Sequence, residues 1–287
     1  MNEIDFQLTD GRNLHLLVGQ QFDGPTIIFH HGTPAFAGTW RKTIALLESK
    51  GISAIAYSRA GYFTSDRKMD RRVIDVLDDL GEVLDEYRVE SFVSVGWSGG
   101  GPHTLASGLD PRCTCVFVLA GVGMYGQPDL DFLVGMGQDN LDEFGAAVAG
   151  VDALEHWMSL NGPGIKEVTA AQLQVTDGNL YSKKDRQILS NFENAEELAE
   201  CYRASVKLSY AGWIDDDIAF TQDWGFSLEE ITVPVHLLQG DEDLMVPPEH
   251  AAWLLKHLSQ ASLTKLPGWG HLGLIDAAIS QIIKEIA

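Results

Sequence analysis

Ser98 stands in Gly96-Trp97-Ser98-Gly99-Gly100, a G-x-S-x-G pentapeptide. The flanking glycines let a strand turn sharply into a helix, so that the hydroxyl stands clear of the backbone at a helix N-terminus. There the N–H of Gly99 would meet the oxygen of an attacked carbonyl as it takes up negative charge. A serine hydroxyl is a weak nucleophile; it needs a base, and the base needs an acid to orient it. Both occur later in the chain. Gly240-Asp241-Glu242-Asp243-Leu244-Met245-Val246-Pro247 offers three neighbouring acids, among which spacing alone does not choose, and Gly270-His271 offers the base. His31-Gly32-Thr33-Pro34 supplies a fourth piece. Pro34 has no N–H and stiffens that loop, while Thr33 keeps its N–H as a second oxyanion donor. The chemistry these types suit is nucleophilic attack on an acyl carbon. Each piece has a bland counterpart: a capping serine, a capping histidine, turn chemistry in an acidic loop. Their convergence is what favours chemistry. The remaining histidines, among them His15, His156, His236, His250 and His257, form no H-E-x-x-H or other metal spacing. No metal and no cofactor are therefore expected.

These pieces must be carried by elements that bring them to one edge. Thr26 to Phe29, Ile52 to Tyr57, Phe92 to Val95, Thr114 to Leu119, Val235 to Gln239 and Leu263 to Leu266 are short apolar runs that read as buried strands. Ile4 to Leu8 and Leu14 to Val18 alternate around Asp10-Gly11-Arg12-Asn13 and read as a hairpin. Helical spacing of apolar residues marks Thr39 to Lys50, Asp70 to Tyr87, Pro248 to His257 and Leu272 to Ile286. Strands alternating with helices give a mostly parallel sheet covered on both faces. Every chemical motif then follows a strand, at the C-terminal edge where such sheets bind ligands. The stretch from Tyr125 to Ser227 reads differently, as acidic helical pieces near Leu130 to Gly137, Leu141 to Ala149, Asp152 to Leu160, Glu167 to Val175 and Ala195 to Tyr210, with a break at Asn161-Gly162-Pro163-Gly164.

Composition narrows the classes. The 287 residues include 20 Lys and Arg against 41 Asp and Glu, a net charge of -21, which opposes binding to nucleic acid or to anionic membranes. At 45% hydrophobic and 21% charged, the chain is neither collagen-like nor disordered. Cys113, Cys115 and Cys201 are too few and too oddly placed for a disulfide framework, and they suit a reducing compartment. Met1 to Leu8 lacks the pattern of a signal peptide, and no stretch approaches a membrane span. A cytoplasmic protein acting on a small molecule is expected; the sequence leaves its oligomeric state open.

At H-G-T-P, G-W-S-G-G, G-D-E-D-L-M-V-P and G-W-G-H the chain resembles the α/β-hydrolase superfamily, over nearly its whole length. The resemblance implies an α/β-hydrolase fold with a helical cap inserted after the sixth strand. Residues 1–124 and 228–287 would form the core and 125–227 the cap or lid. The family pattern G-x-x-D-x-x-V-P puts the acid on Asp243 rather than Asp241 or Glu242. Carried over in the same way, Ser98 is the nucleophile, His271 the base, and Thr33 and Gly99 form the oxyanion hole. The family's D-x-x-G-x-G-x-S run is replaced by Ser58-Arg59-Ala60-Gly61-Tyr62-Phe63-Thr64-Ser65, which lacks the leading Asp and the second Gly. A serine nucleophile separates the chain from the dehalogenase and epoxide-hydrolase branches, which place Asp there. Looser similarity points to proline-iminopeptidase-like and small-ester hydrolases, so a carboxylesterase-like enzyme is implied and an aminopeptidase is compatible. Phe36, Trp97, Met124 and Trp269 flank the motifs and are candidates to line a substrate pocket. The expected function is cleavage of a small-molecule ester, amide or related acyl bond through an acyl-enzyme. An acyltransferase with the same triad fits equally, and a small-molecule receptor of this fold fits less well.

Overall fold

A computed structural model of the chain describes residues 1–176 and 179–286. The elements run β1 (Asn2–Gln7), β2 (Asn13–Val18), β3 (Thr26–His30), α1 (Arg41–Glu48), β4 (Ala54–Tyr57), α2 (Val76–Glu86), β5 (Phe92–Trp97), α3 (Gly100–Ser107) and β6 (Cys113–Leu119). Six helices follow: α4 (Gln138–Ala149), α5 (Val151–Lys166), α6 (Ala170–Val175), α7 (Lys183–Leu189), α8 (Phe192–Ser205) and α9 (Ala211–Phe220). The chain closes with β7 (Val235–Gly240), α10 (Pro248–His257), β8 (Ala261–Leu266) and α11 (Leu274–Ile286).

The described strands form one sheet in the order β1-β2-β4-β3-β5-β6-β7-β8. β1 pairs with β2, and β2 with β4, antiparallel; the other pairings are parallel. The apolar runs explain this. Ile27 and Phe29 point to one face and Ile28 to the other, and all three are fully buried, so both faces need cover. On one side Leu80, Val83 and Leu84 of α2, Leu105 of α3 and Leu254 of α10 provide it. On the other, Trp40 joins Ile44 and Leu47 of α1 and Ala278 and Ile282 of α11. Parallel pairing sends every strand from β3 to β8 the same way, so the loops after β3, β5 and β7 meet at one edge.

The helical segment between β6 and β7 departs from the sequence reading in three ways. Leu130 to Gly137 is a run of turns rather than a helix, with bonds such as Val134 N–H to Asp131 carbonyl and Gly135 at φ +89°. Asn161 to Gly164 does not break the chain: it lies inside α5. Pro163 sits in the exposed last turn, where only one backbone bond is lost, and Gly162 packs so closely on the Tyr210 ring that a Cβ would lie 2.7 Å from it. α7 and α9 leave no mark in the apolar spacing: α7 has seven residues and buries only Asp185 and Leu189, and α9 is buried nearly all round, so it has no single apolar stripe. Among the described residues no helix is long and apolar enough to cross a membrane.

Candidate active site

The Ser98 position is built by backbone alone. β5 ends at Trp97, α3 starts at Gly100, and Ser98 between them takes φ +57°, a left-handed conformation that a non-glycine residue holds at a cost. The turn is fixed by the Ser98 N–H to the Leu119 carbonyl at 2.8 Å and the Gly101 N–H to the Ser98 carbonyl at 2.8 Å. It is also tight: a Cβ on Gly96 would lie 2.5 Å from the Gly100 carbonyl, and one on Gly99 2.3 Å from the Thr33 hydroxyl. These two glycines are required by close approach, which is why the pentapeptide reads as it does.

The loop after β7 brings Asp243 to the loop after β8. His271 Nδ1 lies 2.7 Å from Asp243 Oδ2. The other oxygen, Oδ1, accepts the N–H groups of Met245 and Val246, each at 2.9 Å. Asp243 is 2% exposed. Its competitors are elsewhere: Asp241 is exposed and accepts the Gly268 N–H at 2.6 Å, and Glu242 is exposed. Burial opposes a charge on His271, but the Asp243 carboxylate and its hydrogen bond outweigh burial and hold the imidazole above its ordinary value. His271 Nε2 is enclosed and has no hydrogen-bond partner, and no hydrogen bond joins it to the Ser98 hydroxyl in this structure. Catalytic contacts of this kind commonly tighten only when substrate is bound. The backbone of His271 is fixed from the helical segment. Asp185 of α7, 0% exposed, accepts the N–H groups of His271 at 3.2 Å and Leu272 at 2.7 Å.

The loop after β3 is fixed by a second carboxylate. Asp216 of α9 accepts the Thr33 hydroxyl at 2.7 Å, the Tyr62 hydroxyl at 2.8 Å, and guanidinium N–H groups of Arg59 at 2.6 Å and Arg71 at 2.7 Å. His103 Nε2 lies 3.2 Å away. Burial alone would raise the Asp216 carboxyl, but Arg59 and Arg71 hold it well below the usual range. Burial lowers His103 to about 4, so it stays neutral and donates from Nε2. Arg59 also donates to the His31 and Gly32 carbonyls. Among the described residues no turn or loop carbonyl takes the N–H of Thr33 or of Gly99.

Ser98, Thr33 and Gly99 border a cavity of about 370 Å³, whose walls include residues of α4, α5, α6, α8 and α9 together with Met245 and Val246. The four expected pocket residues are not among them. Phe36, Trp97 and Trp269 line a separate cavity of about 740 Å³ beside α1, α7 and α8. Met124 packs partly buried against the core. Trp97 also lies against the His271 ring, centroids 5.1 Å apart and tilted by 40°, and donates its indole N–H to the His271 carbonyl at 3.3 Å. Among the described residues, Cys115, His236 and Glu285 bring possible metal-ligand atoms within 4.8 Å of one another, on β6, β7 and α11, and none of them borders the Ser98 cavity.

A family model described as alpha/beta hydrolase fold matches residues 25–278. The chain belongs to this family. Among curated proteins, the α/β-hydrolase is 25% identical over 280 residues to a bifunctional esterase/perhydrolase of Acinetobacter calcoaceticus, covering 92% of this chain and 91% of that one. It is 34% identical over 104 residues to an epoxide hydrolase of Caballeronia sordidicola, an alignment that spans 35% of this chain and 31% of that protein's length. An esterase from Exiguobacterium antarcticum has the same fold, with TM-score 0.70 at 19% identity over 98% of each chain.

Sequence reasoning missed the two anchoring carboxylates of this α/β-hydrolase, Asp185 and Asp216, and the cations that face Asp216. One signal was available: Asp215-Asp216-Asp217 is a charged triplet inside the otherwise apolar Ala211 to Phe220. Such residues are buried in a helix only when something pairs with them.

Proposed function

We propose that this α/β-hydrolase is a serine hydrolase that cleaves small-molecule esters, amides or related acyl bonds. In this reading Ser98 Oγ attacks the acyl carbon while His271 Nε2 takes the hydroxyl proton. Asp243 keeps Nδ1 protonated and stabilises the imidazolium. The N–H groups of Thr33 and Gly99 receive the oxyanion. His271 then gives its proton to the leaving group, the carbonyl re-forms, and an acyl-Ser98 ester remains. Water attacks that ester by the same route, and Ser98 recovers its proton. No step needs a metal or an organic cofactor.

One observation supports this most: the His271–Asp243 contact at 2.7 Å keeps the imidazole proton on Nδ1 and leaves Nε2 free to accept one. The nucleophile type favours acyl over epoxide chemistry. Serine attack on an epoxide would leave an ether, with no carbonyl for water to attack, whereas an acyl-serine can be hydrolysed. A cavity of about 370 Å³ suits a small-molecule partner. The three buried, free cysteines fit a reducing, cytoplasmic setting.

The test is labelling with a fluorophosphonate, on wild type and Ser98→Ala together, beside a chain-length series of p-nitrophenyl esters. Labelling and hydrolysis in wild type, both absent in the variant, are expected. A folded wild type that neither labels nor hydrolyses any ester would overturn the reading.

A further inference from the structure

The end of the sheet away from Ser98 gathers three side chains of the kinds that hold metals. Parallel pairing sets Phe117 of β6 beside His236 of β7, and His236 beside Ser262 of β8. Alternation puts Cys115 on the same face as Phe117, one step diagonal from His236. That face is covered by α11, whose Ala278 and Ile282 pack into the same core as Cys115. Glu285 follows Ile282 by one helical turn, so it comes down beside the two strands. A sulfur, an imidazole nitrogen and a carboxylate oxygen thus lie within 4.8 Å of one another. Cys115 and His236 stand near the starts of β6 and β7, whereas the acyl chemistry belongs to the loops that follow strand ends.

The imidazole is held ready for a ligand. The His236 ring stacks on Phe117 at 4.8 Å and 29°, and its Nδ1 lies 2.9 Å from the Ser262 hydroxyl. Its Nε2 is enclosed and has no hydrogen-bond partner; Glu285 Oε2, at 3.8 Å, is beyond hydrogen-bond reach. Metal-binding imidazoles have this arrangement, one nitrogen tied to a neighbour and the other presented to the ion. Cys115 is 3% exposed. Burial, and then the Glu285 charge, pushes its thiol up to about 12, so the sulfur keeps its proton unless a cation offsets both. Glu285 is 42% exposed, which leaves a path from solvent.

We propose that Cys115, His236 and Glu285 bind a zinc ion that ties α11 to β6 and β7. A thiolate, an imidazole and a carboxylate together suit Zn²⁺, and the thiolate disfavours Mg²⁺ and Ca²⁺. Three protein ligands leave the fourth tetrahedral position to water. Zinc bonds of about 2.0–2.3 Å put tetrahedral ligands about 3.3–3.8 Å apart, so the cluster closes by about an ångström. Glu285, exposed near the end of α11, supplies that movement. As the Sγ–Zn bond forms, the thiol proton passes to solvent; no electron is transferred. Local spacing gives no sign of the site, because each ligand comes from a different element. None of the three borders the Ser98 cavity, so zinc binding stands or falls apart from the acyl chemistry.

The experiment titrates Co²⁺, a stand-in for zinc with a visible spectrum, into the untagged, chelator-washed full chain, beside Cys115→Ser, His236→Gln and Glu285→Gln. Wild type is expected to take up Co²⁺ one-to-one, with d–d bands in the visible and a sulfur-to-cobalt charge-transfer band in the near ultraviolet. An equimolar addition of Zn²⁺ should bleach both. Cys115→Ser should lose the charge-transfer band, and the other two variants should each lose roughly tenfold or more in Co²⁺ affinity. Zn²⁺ at about a hundredfold excess over its Kd should raise the wild-type melting temperature by roughly 5 °C. Mg²⁺ should not, which separates this site from the general pull of a net charge of -21 on cations. A folded wild type that shows no charge-transfer band with Co²⁺ overturns the proposal, and needs no variant to fold. So does a band that survives in Cys115→Ser, or Co²⁺ affinity unchanged in both other variants.

Discussion

Asp216 Oδ2 accepts the hydroxyl of Thr33 across 183 residues of chain, at 2.7 Å. A helix of the segment between β6 and β7 thereby holds the loop that carries the Thr33 N–H, an oxyanion donor in the proposed reaction.

Thr33→Val tests that link without stranding a charge, because Asp216 keeps Arg59, Arg71 and Tyr62. The hydroxyl also accepts from Arg59 at 3.2 Å, so two hydrogen bonds are lost, each worth about 1 kcal/mol of stability. Displacement of the loop should lower kcat by roughly tenfold with KM little changed. Asp216→Asn is harsher: it leaves two buried guanidiniums uncompensated and should cost about 3–5 kcal/mol in a urea melt. If kcat of Thr33→Val equals wild type, the contact serves folding alone.

Asp185 plays the matching part for the His271 loop. Its oxygens hold the N–H groups of His271 and Leu272, and a Cβ on Gly270 would sit 1.9 Å from Oδ2. Gly270→Ala must therefore push Asp185 away from the loop. Overpacking of this sort typically costs about 1–3 kcal/mol. The expected signature is a lower melting temperature together with a fall in kcat of roughly 10²-fold, the scale for a reacting group misplaced by about an ångström. Wild-type kcat in this variant would show that the loop holds itself.

Activity should fall on the acid side as His271 takes a proton, since only neutral imidazole accepts from Ser98. Asp243 holds the imidazole above its ordinary value of 6.5, so the acid limb of kcat/KM should have its midpoint above pH 6.5. Removing the carboxylate charge reverses the sign. Asp243→Asn should move that limb down and lower kcat by about 10⁴-fold, through the wrong tautomer as much as the lost charge. A pH–rate series on both proteins reads this directly, and an unmoved limb would mean that another group titrates.

Ser98 stores backbone strain at φ +57°. Ser98→Ala and Ser98→Gly should both lose activity by about 10⁶-fold, the scale of nucleophile removal in another serine-hydrolase triad. They should differ in stability: glycine enters the left-handed region freely, so Ser98→Gly gains about 1 kcal/mol over Ser98→Ala. Thermal melts of the pair decide it, and equal melting temperatures would place the strain elsewhere.

The Asp217–Glu143 pair predicts a pH-dependent stability of the opposite sense to an ordinary salt bridge. Both carboxyls are raised in the folded protein, so the native state binds more protons than the unfolded one above the ordinary carboxylate range. Stability then falls as pH rises from there toward the raised values. Asp217→Asn removes this loss, so its melting temperature should exceed wild type by more at pH 8 than at pH 5. A constant difference across that range would argue against a buried, proton-sharing pair.

Much of this molecule is legible in one dimension. Ser98, the His271 loop and the Thr33 loop sit at strand ends, where backbone turns demand glycine and proline, and such demands leave local marks such as G-W-S-G-G and H-G-T-P. The sheet is legible for the same reason: Ile27, Ile28 and Phe29 are apolar in succession because β3 is covered on both faces. Spacing did not choose Asp243 over Asp241; resemblance did, and in the fold only Asp243 is turned toward His271. Local pattern misjudged Asn161 to Gly164, where Tyr210 packing holds a helix that the residues alone would end. It was silent on Asp185 and Asp216, whose partners lie 86 and 183 residues away. Nor did it tell the cavity beside Ser98 from the separate one that Phe36, Trp97 and Trp269 line. Turn geometry is set by neighbours in the chain and is written there. Which buried carboxylate meets which donor is set by how helices settle on a sheet, and only the packed structure decides it.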